Sequence, residues 1–469
     1  MSRPNVLYVT VDSIRADHVG HLGYDRPTTP TLDRLADRGT ACSRAFANGI
    51  PTYYSFKSLL GGCASLGYFR GIGLPDRGRA IAEVFCDAGY ETAGFNAGNP
   101  WLTREYGYDR GFETFRDFLT DGGDPEVGRL FTKVARRAQP LLEGSEFLED
   151  KAGFATRVAF ALLDNQPLED AETVTDAALQ WLASRDDERP FFLWIHYMDP
   201  HYPWVPRDDA LDRFSDGGVS KFDVARLWHE VSSLNDTDEG GSVTPEELAR
   251  IVDLYDAEIR RTDDAIGRVL AALRSRDALD DTLVTVVGDH GTELQDHGGF
   301  SHGPRKLYDE VLRVPLVFAG PSVPDRPVSA ETSLTDVPVT LLGAAGLDVP
   351  EDYVGRSAFE ESREAAVAEV VYDYRPASDD NRRNGLLRAC VDWPWKLVVN
   401  DELGTRELYH LDRDPDETTD RSGDEPDTVE RLLERLRRSR TRVERRNNTR
   451  RERSRVRSTV AELKRRGRI

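Results

Sequence analysis

Asp289 and His290 form an adjacent pair of metal-binding residue types directly after an apolar, β-branched run at residues 282–287. The run predicts a strand buried on both faces, with the pair at its carboxyl end, which is where open α/β sheets bind ligands. Three of the nine histidines fall within the thirteen residues from His290 to His302, the third being His297. A lone histidine would fit a polar turn, whereas this clustering favours a divalent metal or a catalytic site.

A second candidate carboxylate is Asp12, which follows another apolar run at residues 5–11. If this run and residues 282–287 form parallel strands, Asp12 and Asp289 emerge at the same edge of the sheet. Together with His290 they provide oxygen and nitrogen ligands suited to Mg²⁺, Mn²⁺, Ca²⁺ or Zn²⁺. The alternative is that Asp12 only caps the following helix.

Two hydroxyl side chains, Thr52 and Ser55, lie where a loop punctuated by Pro and Gly opens into an apolar helix. The N-terminus of a helix offers unpaired N–H groups and a positive partial charge, which favour an anion such as phosphate or sulfate. Either hydroxyl could instead be an ordinary helix cap.

The segment 190–204 predicts a third buried strand, followed by a loop rich in prolines and aromatic residues. His201 lies in that loop and is a functional candidate. His196 lies within the strand pattern and is predicted to be a core histidine whose hydrogen bonds are satisfied.

The composition is acidic. The chain has 469 residues and a formal charge of −21, and only seven of its 62 basic residues are lysine. Such a surface is typical of adaptation to high salt, where hydrated carboxylates keep a protein soluble. The four cysteines have no paired spacing, so neither a disulfide framework nor a zinc knuckle is predicted. Because no leader and no membrane-spanning run is apparent, a cytoplasmic protein is expected.

Helix and strand patterns alternate along most of the chain, as in α/β domains, and a long amphipathic helix at residues 245–274 precedes the 282–287 strand. Further on, short alternating runs predict a small antiparallel sheet, at residues 366–372, 386–391, 395–399 and 407–411. The predicted division is a catalytic domain at residues 1–325, a C-terminal subdomain at 326–425 and an arginine-rich helical tail at 426–469.

Within the tail, Leu432, Leu433, Leu436 and Val443 fit one face of a helix. This pattern favours a helix that docks on the protein's own body or stays solvated. Nucleic-acid binding is not expected, because no aromatic residues are interleaved with the arginines to stack on bases.

Five segments, taken in order, resemble motifs of the sulfatase family within the alkaline phosphatase superfamily. They are residues 4–12, residues 191–203 with the sequence DPHYP, residues 288–291 with GDHG, residues 307–315 and residues 407–415. The resemblance runs from about residue 3 to residue 417. It implies an alkaline-phosphatase-like three-layer α/β sandwich with a mostly parallel central sheet.

The segment that would carry the nucleophile departs from the family pattern. Sulfatases have a Cys or Ser, matured to formylglycine, in a C/S-x-P-x-R motif before a helix reading roughly S-L-L-T-G. Aligning residues 58–62 with that helix places Thr52 at the nucleophile, Tyr54 at the proline and Phe56 at the arginine. A threonine cannot become formylglycine, which calls the usual gem-diol route into question.

A threonine at this position resembles the superfamily's phosphoesterases and phosphotransferases, including phosphoethanolamine transferases and lipoteichoic-acid synthases. In phosphoethanolamine transferases a histidine twelve residues after the Asp-His pair serves the site, and His302 has that spacing from His290. Many sulfatases also have a second aspartate after the first, where this chain has Ser13.

The resemblance implies that a divalent cation is held by Asp12, Thr52, Asp289 and His290. Ca, Mg, Mn and Zn are all candidates for it. The metal-bound Thr52 would attack phosphorus or sulfur and form a covalent ester.

Around this centre, His201 and His302 would stabilise the non-bridging oxygens or protonate the leaving group. Lys57 and Lys306 are secondary candidates for countering oxyanion charge. His297 would support the site or help His201 and His302 to hold a second metal.

The predicted function is a metal-dependent hydrolase of small-molecule or glycan sulfate or phosphate esters. The alternatives are a phosphotransferase that passes the group to an acceptor other than water, and a sulfatase-like binding protein whose chemistry has lapsed.

Overall fold

The computed structural model describes residues 3–66, 72–75, 78–119, 154, 156–162, 169–215, 219–236, 243–360, 365–374 and 385–465, with side chains as far as residue 445. The strands are β1 (Asn5–Val11), β2 (Gly39–Ala41), β3 (Ala45–Phe46), β4 (Glu91–Asn96), β5 (Thr114–Arg116), β6 (Phe191–Tyr197), β7 (Thr282–Gly288), β8 (Glu293–Leu294), β9 (Phe300–Ser301), β10 (Arg313–Val314), β11 (Leu316–Ala319), β12 (Thr332–Ser333), β13 (Ala366–Val371), β14 (Leu386–Asp392), β15 (Trp395–Asn400) and β16 (Thr405–His410). The helices are α1 (Pro30–Ala36), α2 (Thr52–Leu59), α3 (Ile81–Asp87), α4 (Ala171–Ser184), α5 (Asp208–Leu211), α6 (Lys221–Asp236), α7 (Pro245–Ser275), α8 (Asp309–Leu312), α9 (Asp336–Ala344) and α10 (Pro426–Arg465).

A seven-stranded sheet lies at the centre, in the order β2-β11-β7-β1-β6-β4-β5. β7, β1, β6, β4 and β5 are parallel, while β11 runs antiparallel to both β7 and β2. Along β1, Val6 and Tyr8 face one apolar core, and Leu7 and Val9 face the other. Because both faces of the sheet are buried, the strand is apolar at successive positions rather than at alternate ones.

Helices cover both faces of this sheet. α2, α3 and α9 contribute to one core, and α4 and α7 contribute to the other, so the architecture is a three-layer α/β sandwich. The long helix α7 begins with Pro245 in its first turn and a capping box in which Thr244 and Glu247 accept each other's backbone N–H. These local signals set the start of the helix without any help from tertiary contacts.

A second, antiparallel sheet has the order β13-β14-β15-β16. One of its faces joins the core that contains α2 and α3, and the first turns of α10 cover its other face. The buried side chains of that second interface are Cys390, Leu397, Val399 and Leu408 from the sheet, with Val429, Leu432, Leu433 and Leu436 from the helix. The basic tail therefore begins as a helix packed on the protein's own body, which is one of the two arrangements that the sequence left open.

A buried ion cluster joins this second sheet to the segment that follows β9. Lys396 is fully buried, and its ammonium donates to Asp309 at 3.0 Å and to Glu417 at 2.9 Å. The Glu417 carboxylate also accepts the backbone N–H of Asp309 at 2.6 Å. Because a buried charge is costly to leave unpaired, this cluster specifies how β15 docks beside α8.

The predicted mostly parallel central sheet, long helix and small antiparallel sheet are all confirmed. The division at residues 325 and 425 stays a prediction, and one apolar core runs continuously from the central sheet into the second sheet. Among the described residues, no helix combines the length and the apolar character that crossing a bilayer requires.

The docking of α10 can be tested with Leu436→Ala. Leu436 is fully buried against the second sheet, so the truncation should lower the free energy of unfolding by about 2–4 kcal/mol, measured by urea denaturation. The matched control is Arg437→Ala, one residue further on, where the side chain is 57% exposed. It should change stability by less than about 0.5 kcal/mol. Equal effects from the two variants would contradict the docked arrangement.

Candidate metal and catalytic site

The site is built on the carboxyl ends of β1 and β7. Val11 pairs with Gly288 in the parallel register, so Asp12 and Asp289 leave neighbouring strands at the same level. The backbone N–H of Asp289 donates to the Val11 carbonyl at 3.1 Å. Gly288 lets the end of β7 pack closely against Ile14, because a Cβ at this position would lie only 2.7 Å from the Ile14 side chain.

Four predicted residues meet at this edge. Ligand atoms of Asp12, Asp289 and His290 lie within 4.8 Å of one another, and all three side chains are buried. His290 Nε2 lies 3.4 Å from Asp289 Oδ2 and 3.9 Å from Asp12 Oδ1. Thr52 Oγ1 lies 3.1 Å from Asp12 Oδ2 and 3.3 Å from His290 Nε2. The structure thus brings together side chains that are widely separated in the chain.

The hydrogen bonding of His290 fixes which ring nitrogen faces the cluster. Its Nδ1 lies 2.8 Å from the Gly291 carbonyl. A carbonyl only accepts, so Nδ1 carries the proton and Nε2 keeps its lone pair on the side of the two carboxylates. This is the arrangement that metal-binding histidines adopt.

The electrostatics of the cluster favour a cation. Burial and the neighbouring Asp12 charge raise the pKa of Asp289 well above its usual range. Burial also opposes ionisation of Asp12, but His201, His196 and His290 hold its pKa well below the usual range. Two buried carboxylates this close repel each other, and a divalent cation between them would remove that cost. Oxygen donors with one imidazole, and no thiolate, suit Mg²⁺, Ca²⁺, Mn²⁺ or Zn²⁺, so the donor set fits a metal.

Thr52 is the first residue of α2 and follows Pro51, so its hydroxyl lies at the positive end of a helix. One turn on, Ser55 donates to Asp289 Oδ2 at 3.4 Å. Phe56, at the position of the family's arginine, is fully buried and packs edge-on against His196, with ring centroids 4.9 Å apart. On the motif alignment, which stays a prediction, this chain has an apolar ring where sulfatases have a cation.

The two other predicted histidines lie beside the cluster. The His302 ring is centred 4.4 Å from His290 and 5.0 Å from His201. Burial lowers the pKa of His201, and burial together with His290 and His201 lowers that of His302 well below its usual range. His201 Nδ1 donates to the Tyr202 carbonyl, so its Nε2 retains the lone pair.

Lys306 has a different set of partners from the one expected. Its ammonium donates to both carboxylate oxygens of Glu293, at 2.7 and 2.8 Å, and to the His297 carbonyl at 2.7 Å. These bonds use all three of its N–H donors. The predicted catalytic role of Lys306 therefore stays a prediction. To bind a substrate anion, its ammonium would have to give up one of these hydrogen bonds.

Lys57 and His297 also have partners of their own. Lys57 donates to the Ser65 carbonyl at 3.1 Å, and burial lowers its pKa to about 8. His297 Nδ1 lies 2.8 Å from Glu310 Oε1, and its ring stacks on Tyr308 at 3.7 Å. Both of these interactions of His297 are with residues other than the four of the cluster.

His196 is a core histidine, as predicted, but the prediction that its hydrogen bonds are satisfied is wrong. The ring is fully buried and Nδ1 lies 3.0 Å from Thr10 Oγ1, but Nε2 has no hydrogen-bond partner among the described residues. Nε2 lies 3.6 Å from Asp12 Oδ2. The signal was available in the sequence, because His196 is the last residue but one of a strand that ends at the same edge as β1.

Two further neighbours of Asp12 were not predicted as site residues. Asn99 donates to Asp12 Oδ2 at 3.2 Å from the loop after β4, which ends at the same edge. Ser13 donates to Asp12 Oδ1 at 2.7 Å, while its backbone N–H donates to Asp289 Oδ1 at 3.2 Å. The Ser13 backbone has a positive φ of 56°. This turn lets the side chain reach Asp12 while the backbone N–H reaches Asp289.

The family model described as Sulfatase matches residues 4–347. The chain belongs to the sulfatase family. An arylsulfatase of Clostridium perfringens is 24% identical over 453 residues, covering 89% of this chain and 90% of the relative. A protein of Trinickia caryophylli described as a multifunctional alkaline phosphatase superfamily protein is 26% identical over 399 residues, covering 76% of each chain.

Solved structures confirm the alkaline-phosphatase-like fold. A phosphonate monoester hydrolase of Agrobacterium radiobacter superposes with a TM-score of 0.70 at 22% identity, covering 94% of this chain and 96% of that one. A protein in complex with its substrate D-glucosamine-2-N,6-O-disulfate superposes with a TM-score of 0.69 at 18% identity, covering 94% and 98%. The sulfatase-family chain is an ester hydrolase with a candidate metal site.

The metal site can be tested with Asp289→Asn. The substitution removes one of the two buried carboxylate charges and keeps the shape of the side chain. The dissociation constant for Mn²⁺, measured by isothermal titration calorimetry, should rise at least tenfold, roughly the effect of disturbing a metal ligand. Asp253→Asn makes the same chemical change at a carboxylate that pairs with Arg26 and should leave the constant unchanged. Unaltered Mn²⁺ binding by Asp289→Asn would refute the assignment.

Proposed function

We propose that this sulfatase-family chain hydrolyses sulfate or phosphate esters with a metal bound at Asp12, Asp289 and His290 and with Thr52 as the nucleophile. The observation that carries the proposal is the position of the Thr52 hydroxyl, 3.1 Å from Asp12 Oδ2 and 3.3 Å from His290 Nε2 at the start of α2. A hydroxyl there can bind the same cation as the carboxylates and face a substrate anion.

The chemistry needs an activated hydroxyl, because a free threonine is a poor nucleophile near neutral pH. A divalent cation bound at the cluster would lower the pKa of the Thr52 hydroxyl and offset the charge of the ester. The positive end of α2 adds to that offset. Ser13 and Asn99 each donate to Asp12 and thereby hold its two oxygens in place.

In the first step the Thr52 oxygen forms a bond to sulfur or phosphorus as the bond to the leaving oxygen breaks. The proton that Thr52 loses ends on the leaving oxygen. His201 suits this transfer, because its Nδ1 is bonded to the Tyr202 carbonyl and its Nε2 can gain and release a proton. In the second step water attacks the Thr52 ester, which restores the hydroxyl and releases sulfate or phosphate.

The His302 ring lies beside those of both His290 and His201 and would donate to a non-bridging oxygen of the ester. Its lowered pKa means that the ring is neutral before substrate binds, so it stabilises the anion through an N–H dipole. An incoming dianion would favour protonation of either histidine and strengthen that contact.

A transferase would use the same Thr52 ester and differ only in the acceptor that attacks it. The geometry disfavours a binding protein that has lost catalysis, because such a protein has no need to bury two carboxylates, an imidazole and a hydroxyl together.

The substrate class is inferred from similar proteins. Their names describe action on aryl sulfates, phosphonate monoesters and a sulfated glucosamine. We take small-molecule or glycan monoesters as the substrate class.

Thr52→Ala should abolish turnover of aryl sulfates and of aryl phosphate esters alike. The loss in kcat should reach about 10³-fold or more, as for other covalent nucleophiles, measured with nitrophenyl esters at saturating Mn²⁺. Thr52→Ser keeps the hydroxyl and should retain a measurable part of the rate. Activity that survives Thr52→Ala would exclude Thr52 as the nucleophile.

Two measurements complete that experiment. Thr285→Val is the control for a buried threonine, because the Thr285 hydroxyl has no hydrogen-bond partner among the described residues, and it should leave kcat unchanged. The ratio of free sulfate or phosphate to released alcohol should be one for a hydrolase. A deficit of the free anion when a second alcohol is added would indicate a transferase.

The composition supports a separate proposal, that the protein works at high salt. Its net charge of −21 implies mutual repulsion across the surface that added salt would screen. The melting temperature should therefore rise as KCl is increased to molar concentrations. A constant or falling melting temperature would refute this. The expected cytoplasmic location stays a prediction.

A further inference from the structure

Helix α7 contacts two separate parts of the site through one buried face. Tyr255, Glu258 and Thr262 are spaced i, i+3 and i+7 on this helix, and each is at most 1% exposed. Residues at this spacing lie on the same side of a helix. Across seven residues the helix advances about 10 Å, which is roughly the span from one contact to the other.

The first contact holds the turn that follows β1. The Tyr255 hydroxyl donates to the Ser13 carbonyl at 2.8 Å and accepts the backbone N–H of Arg15 at 2.9 Å. This turn includes Ser13, whose backbone has the positive φ of 56° and whose side chain and N–H bond the two metal-site carboxylates. Tyr255 touches none of the proposed metal ligands and acts on them through the turn.

The second contact holds the loop that carries His201. Thr262 Oγ1 donates to the Asp199 carbonyl at 2.8 Å, two residues before His201. Glu258 Oε1 accepts the backbone N–H of Val205 at 3.0 Å, four residues after it. The loop is thus attached to α7 on both sides of His201.

Arg261 strengthens the second contact. Its guanidinium lies 3.4 Å from Asp199 Oδ1 and 3.2 Å from Glu258 Oε2, and it also pairs with Asp170 and Glu172. Because it neutralises several carboxylates in a buried setting, removing it would endanger folding. The hydroxyls of Tyr255 and Thr262 are therefore the better probes, since each can be deleted without changing charge or shape.

We propose that α7 sets the distance between the metal cluster and His201, with Tyr255 and Thr262 as positioning residues for the two ends. Tyr255 supports metal affinity by holding the Ser13 turn, and Thr262 supports proton transfer by holding the loop that carries His201. The inference rests on the proposed function, because it assumes that the cluster binds metal and that His201 takes part in turnover.

The test compares Tyr255→Phe with Thr262→Val in the full-length chain. For each variant, the dissociation constant for Mn²⁺ is measured by calorimetry, kcat and KM are measured with a nitrophenyl ester, and the melting temperature is recorded. Tyr255→Phe should weaken Mn²⁺ binding about tenfold, the effect of loosening a support of a metal ligand, and excess Mn²⁺ should restore its kcat.

Thr262→Val should behave in the opposite way. Its Mn²⁺ dissociation constant should stay within about twofold of wild type, while kcat falls about tenfold with KM unchanged, the low end of a general acid–base contribution. Excess Mn²⁺ should not restore the rate. Thr262→Ser keeps the donor to Asp199 and should recover most of the lost kcat, which a purely steric role would not predict.

Matched controls distinguish the loss of a positioning hydrogen bond from the effect of removing any buried hydroxyl. Tyr108→Phe and Thr285→Val remove hydroxyls that are buried but have no hydrogen-bond partner among the described residues, and both should match wild type in all four measurements. If Tyr255→Phe and Thr262→Val alter affinity and kcat to the same degree, or alter neither, the inference is overturned. A wild-type chain that neither binds Mn²⁺ nor turns over an ester would overturn the proposed function and this inference together.

Discussion

Parallel pairing of β1 with β7 places two carboxylates side by side in the protein interior. Asp12 and Asp289 follow strands in matched register and are both fully buried. Ionised carboxylates at this separation repel strongly where water is excluded, so the arrangement needs either a shared proton or a cation. The surrounding groups supply donors and imidazoles rather than further acid, and the turn at Ser13, the start of α2 and the loop after β6 all converge to complete that environment.

The start of α2 is where this chain is predicted to depart from the sulfatase motif. The motif alignment predicts Thr52 at the residue that matures to formylglycine in sulfatases and Phe56 at the arginine of the motif. Phe56 packs edge-on against His196, whose Nε2 faces Asp12 at 3.6 Å. At the aligned position this chain therefore has an apolar ring packed on a buried imidazole, and not a cation. A hydroxyl nucleophile needs activation by its surroundings, and the close contacts of Thr52 with Asp12 and His290 are suited to provide it.

Much of this centre could be predicted, because strand ends and helix starts are local features. The apolar runs before Asp12 and Asp289 identified them as strand-end carboxylates, and the Pro51-Thr52 step identified a helix start. A position inside a buried strand does not by itself provide partners for both nitrogens of His196, and its Nε2 has none among the described residues. The charge of Lys306 suits an anion site, yet Glu293 and the His297 carbonyl occupy its three N–H donors. Such competition between partners is settled by distances of a few ångströms that spacing along the chain does not contain.

The order of motifs and the unbroken apolar runs were enough to specify the fold class, the sheet edge that carries the site and the chemical types gathered there. These properties follow from backbone periodicity and from which residues end each element. Folding in three dimensions alone settled the remaining features: the tautomers of His290 and His201, the partners of Lys306, and the use of one helix, α7, to hold both the Ser13 turn and the His201 loop. The α7 contacts join segments 53 to 242 residues apart, whereas the two tautomers and the Lys306 bonds involve residues no more than 13 apart. In every case a shift of one ångström makes or breaks the hydrogen bond, and the sequence does not contain that distance.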